Sequence, residues 1–142
     1  MPNLNNQRPQ SPPAGLARIA AVAAAVGFVV AAGYQVFLAL GLEFGGAAWG
    51  GAALTPALRL ASAVSGMLLV VAALIILGRA GYWGSRVPSG IFRWGTWVLV
   101  IGMILSAFAN FASSTAGERY FLGPTALFLA ILCLVVARGP VR

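Results

Sequence analysis

Glu43 and Glu118 are the only acidic side chains in the sequence, and arginines follow both: Arg59 after the first and Arg119 directly beside the second. A balanced set of two carboxylates and two guanidiniums suits three chemistries. Charges at a membrane boundary are costly unless paired, so Arg59 could form a planar bidentate pair with Glu43 or Glu118 that clasps helix ends together, leaving Arg119 for headgroups. The arginines could instead hold an anionic headgroup or a quinone-like ligand in a pocket roofed by the stretch GLEFGGAAWGG, whose glycines permit close backbone approach and unusual dihedrals. General acid–base work by Glu43 and Glu118 is the third, but no nucleophile or metal set accompanies them. Tyr34, Gln35, Asn110 and Tyr120 are the other polar or aromatic residues expected near this group.

The elements that must position these residues follow from composition. The chain is 61% hydrophobic and 8% charged, with a mean hydropathy of +0.94. A soluble domain of this size needs far more charge to face water. The apolar runs, about 16–42, 56–78, 91–112 and 117–137, are continuous rather than alternating, and each is long enough to cross about 30 Å of hydrocarbon as a helix. Helices also satisfy every backbone donor and acceptor in lipid. The sequence therefore predicts an all-α bundle of four transmembrane helices, residues 15–142, preceded by a polar, proline-rich tail over 1–14 that cannot order itself alone. The first run is too long for a secretory signal core and reads as a helix.

Local signals set helix ends. Thr55-Pro56 reads as N-cap and first position of the second helix, which puts Arg59 in its first turn. Thr115 and Glu118 have capping-box spacing. A fourth helix beginning only at Pro124 would be too short to span, so it should begin near 116–118 and bend at Gly123-Pro124, freeing a carbonyl near Tyr120 for another partner.

All nine basic residues are arginines. Arg8, Arg18, Arg79, Arg86, Arg93, Arg138 and Arg142 fall on one side of the membrane, and Arg59 and Arg119 on the other. Under the positive-inside rule both termini are cytoplasmic, and the arginine-rich side meets anionic inner-leaflet lipid. The charges are dispersed rather than gathered on a soluble module, which argues against nucleic acid. Arginine without lysine, amid abundant Ala, Gly, Val and Leu, suggests a GC-rich bacterial genome and hence a bacterial plasma membrane.

Several functions lack their residues. There is no histidine, so imidazole-based metal sites, histidine-ligated haem and serine–histidine catalysis are excluded. A lone Cys133 permits no internal disulfide or dithiol pair. There is no aspartate and no carboxylate in mid-helix, where proton-coupled transporters usually carry one. No cofactor or metal is expected. Small residues four apart set the expected packing faces: Ala23, Gly27 and Ala31 in the first helix, Ser62 and Gly66 in the second, Gly102 and Ser106 in the third.

The closing pattern of Asn110, Ser113, Ser114, Glu118-Arg119 and Gly123-Pro124, with the Gly-rich loop followed by Pro56 and Arg59, resembles small four-helix membrane proteins of actinobacteria and their relatives. The resemblance spans about residues 30–137 and implies the same topology. That family supplies no activity to carry over. The expectation is a non-catalytic accessory subunit or assembly factor of a larger membrane complex. Two other classes stand beside it: a self-associating transporter or channel, and an outer-leaflet lipid- or quinone-binding protein.

Overall fold

The computed structural model describes residues 14–42 and 48–140. Four helices run through them: α1 (Ala14–Ala39), α2 (Pro56–Arg79), α3 (Ser89–Phe111) and α4 (Gly123–Arg138), the last entered through a π turn at Glu118–Leu122. No strand occurs among the described residues. All four spans, the fourth counted over Glu118–Arg138, are long and apolar enough to cross a membrane, so this is a multi-pass membrane protein. The shortest has 21 residues, about 31 Å of helix.

Glycine closes two of the helices. Gly41, at φ +84°, ends α1 in a Schellman motif in which Leu42 N–H donates to Phe37 O at 2.9 Å and Gly41 N–H to Leu38 O at 3.0 Å. Gly81, at φ +81°, repeats it after α2, with Tyr82 N–H on Leu77 O and Gly81 N–H on Gly78 O. The sequence reading ran the first helix on to Leu42 because the apolar run continues past the cap. The start of α2 is as expected: Thr55 Oγ1 accepts from Leu58 N–H at 3.3 Å, and Pro56 takes the first position.

The helices form a ring in which α1 packs mainly on α2 and also on α4, while α3 packs mainly on α4. The close face of α1 is alanine-rich: Ala17, Ala20, Ala21, Ala24 and Ala25 are buried, followed by Phe28 and Ala32. Phe28, Ile76 and Cys133 are fully buried at the centre. The expected face of Ala23, Gly27 and Ala31 is thus rotated from the real one: Ala23 is exposed, Ala31 is half-buried, and Gly27 alone makes a close contact, against Leu129. The small-residue spacing recurs on several faces of so alanine-rich a helix, so spacing could not select one.

In α2, Ser62 and Gly66 are buried as expected, with Gly66 set against Gln35 Cβ and Ala32 O of α1. Gly102 of α3 departs from expectation. It is exposed and has nothing within 4 Å of where a Cβ would stand, so it plays no part in packing this bundle. Ser106 is half-buried and is taken up by Asn110.

Candidate functional site

The connections α1–α2 and α3–α4 meet at one end of the bundle, the glutamate end. The α2–α3 loop and the two ends of the described chain occupy the other, the terminal end. Glu43 and the tail over 1–13 lie outside the described residues, so the Glu43–Arg59 clasp is not addressed by the geometry.

Glu118 organises the glutamate end. Its Oε1 accepts from Gly50 N–H at 3.0 Å, across 68 positions of chain. Its Oε2 accepts from the Thr115 hydroxyl at 3.0 Å and also from Ser113 Oγ. The capping-box spacing brings Thr115 and Glu118 together, but not in the reciprocal backbone pattern. Thr115 N–H goes instead to Ser113 Oγ at 3.2 Å, which frees the carboxylate to reach the other loop.

Gly50 is available because the loop ahead of α2 is turned back on itself. Trp49, Gly50 and Gly51 all have positive φ, at 54°, 66° and 78°. That conformation suits the glycines and is uncommon for tryptophan. The Trp49 indole N–H is anchored on the fully buried Ser62 Oγ at 3.1 Å, so Ser62 serves as an acceptor as well as a small packing residue.

The arginines do not take the carboxylate. Arg59 Nε donates to Ala39 O at 2.9 Å, and its guanidinium lies beside Gly41. A cation placed on the last carbonyls of α1 meets the negative end of that helix. This resolves the awkward position of Arg59 in the first turn of α2: it serves the end of the neighbouring helix. Arg119 Nη2 donates to Ser113 O at 2.8 Å, fixing the same turn that feeds Glu118. The expected Glu118–Arg59 clasp is therefore replaced by two separate hydrogen-bonded anchors.

Asn110 turns inward on its own helix, donating to Ser106 O at 2.8 Å and Ser106 Oγ at 3.3 Å. Tyr34 lies within electrostatic reach of Glu118. The Tyr34 hydroxyl and Gln35 Oε1 are buried without a hydrogen-bond partner among the described residues. Tyr120 is exposed. The π turn accommodates Pro124: Gly123 N–H reaches Glu118 O, and Thr125 Oγ1 donates to Phe121 O at 2.7 Å. The carbonyl served by that hydroxyl, Phe121's, is next to Tyr120.

At the terminal end the sequence reading missed Arg79, counting it only among dispersed loop charges. It is 7% exposed, and its Nη2 donates to Ala137 O at 3.2 Å and Gly139 O at 3.3 Å, closing the end of α4. Its place two residues before the capping Gly81 was the available signal. Among the described residues there is no group of histidine, cysteine and carboxylate side chains that could hold a metal ion. No protein-family model matches the chain, and neither a curated protein nor a solved structure matches it.

Proposed function

We propose that the protein is a non-catalytic structural or accessory subunit, or an assembly factor, of a larger complex in a bacterial plasma membrane, with both termini cytoplasmic. The observation that carries this reading is the engagement of Glu118, Arg59, Arg119 and Trp49 at the glutamate end with their own chain. Glu118 ties one loop to the other, Arg59 closes α1, Arg119 holds the turn before α4, and Trp49 is pinned to Ser62. Such an arrangement fixes helix ends, and among the described residues these groups are held rather than poised as nucleophile, acid or base. The resemblance to small four-helix actinobacterial membrane proteins is compatible with this role.

Much of the helical surface is large and apolar, including Val98, Ile101, Leu105 and Phe108 on α3, which suits contact with lipid or a neighbouring subunit. The test is purification of the full chain from its native membrane in mild detergent, followed by native mass spectrometry. Co-purification of larger subunits in fixed ratio is expected. A homo-oligomer free of other chains would replace this reading with a channel or transporter.

One observation favours a second reading, an outer-leaflet lipid- or quinone-binding protein. The Tyr34 hydroxyl and Gln35 carbonyl, without a partner among the described residues, could serve a polar ligand at the glutamate end. A bound lipid or quinone mass lost on Gln35→Leu would support it.

A further inference from the structure

Among the described residues Arg79 is a buried cation with no carboxylate beside it. The only acidic residues of the chain are Glu118, at the opposite end of the bundle, and Glu43, in the connection between α1 and α2. The carbonyls of Ala137 and Gly139 accept hydrogen bonds from Arg79 but cannot neutralise it. Its Nε is buried with no hydrogen-bond partner among the described residues. The charge that acts on it is Arg93's, of like sign. Burying an ionised group without an opposite charge is costly, and a guanidinium is shaped to take carboxylate or phosphate oxygens.

Arg79 also lines a cavity of about 490 Å³ between the end of α2 and the start of α3. Its wall is set by the α2–α3 loop. Gly84, at φ +80°, leaves room for the Phe92 ring, and the Trp83 indole donates to Leu74 O at 2.8 Å while meeting Phe92 edge-on. Ser85 and Ser89 supply hydroxyls. Ser89 opens α3, whose N-cap is Pro88 and makes no side-chain cap; Ile91 N–H is taken by Pro88 O at 3.0 Å, and the amides of Ser89 and Gly90 are left to other acceptors. Arg79, Ser85 and Ser89 thus line one cavity at the start of α3.

We propose that this cavity binds the phosphate of a phosphate-bearing anion, with Arg79 as the charged partner and Ser89 and the start of α3 as the neutral donors. The cavity is larger than a bare phosphate and sits where helix ends meet the headgroup layer. An anionic phospholipid or a soluble phosphate could supply the same chemistry.

The test uses the full chain, purified in zwitterionic detergent, and follows its melting temperature. Inorganic phosphate is titrated against chloride at equal ionic strength. Phosphatidylglycerol is titrated against phosphatidylcholine in mixed micelles. A saturable rise with phosphatidylglycerol alone identifies a lipid headgroup site; a rise with inorganic phosphate alone identifies a soluble ligand; a rise with both identifies the phosphate as sufficient. Ser89→Glu places a carboxylate in the cavity at a position that favours the helix, so the variant stays folded. It should weaken the saturable response about tenfold or more. Arg79→Lys should weaken it in the same direction. No response beyond the chloride and phosphatidylcholine controls, or a response that both variants leave unchanged, would overturn the proposal.

Discussion

The amide of Gly50 donates to the carboxylate of Glu118 at 3.0 Å, joining the loop before α2 to the turn before α4. This one contact ties together two connections that the sequence keeps far apart. Glu118→Ala removes it together with the bonds from Ser113 and Thr115, and should lower stability to detergent denaturation by about 1–3 kcal/mol. Glu118→Gln should cost less. Hydrogen exchange at Gly50 should quicken in both variants; unchanged exchange would remove Glu118 as the link.

Arg59 acts on the end of α1 through the carbonyl of Ala39. Arg59→Gln is expected to lower stability by about 1 kcal/mol. Adding Glu43→Gln separates the two partners: no recovery is expected where the Ala39 carbonyl is the partner lost. Recovery in the double variant would show that Glu43 pairs with Arg59.

The indole of the partly exposed Trp49 donates to the hydroxyl of the fully buried Ser62. Trp49→Phe should cost about 1–2 kcal/mol by stranding the hydroxyl. In a double-mutant cycle with Ser62→Ala, additive losses would show that the two residues are not coupled.

Gly78 and Gly84 both abut the ring of Phe92, and a methyl group at Gly78 would collide with it. Gly78→Ala should destabilise by about 1–3 kcal/mol. Gly78→Ala with Phe92→Leu should recover part of that loss, a pattern readable in thermal unfolding.

Gly27 and Gly102 should behave oppositely. A larger side chain at Gly27 meets Leu129, whereas Gly102 faces open space. Gly27→Leu is expected to reduce folded yield and Gly102→Leu to leave the monomer intact. Native mass spectrometry of Gly102→Leu then isolates association through the α3 face: loss of an oligomer would mean that copies of the chain meet there.

The four spans were legible because lipid imposes a length and an apolar character that composition records directly. The start of α2 was legible because Thr55 and Pro56 act within one turn of chain. The end of α1 was not: Leu40 and Leu42 prolong the apolar run, while Gly41 carries the stop signal in its backbone dihedral. The residue types of Glu118, Arg59 and Arg119 drew attention to the glutamate end, but their partners were not legible. Carbonyl acceptors such as those of Ala39 and Ser113 belong to every residue alike and leave no mark in a sequence. Arg79 was missed for the same reason, since its burial depends on where α4 ends.

The π turn at Glu118–Leu122 has a consequence for the alignment of the whole fourth helix. A π turn holds one more residue than the α turn it replaces, so it works as a local insertion and advances everything after it by one position. Leu129, Cys133 and Val136 reach the bundle centre in that advanced phase, while Glu118 keeps its own bearing toward Gly50. The extra residue thus lets one helix obey two angular settings, one for its polar entrance and one for its apolar shaft. Shortening the turn by a single residue would force those settings into conflict, making it a phase adjuster between the loop and the core.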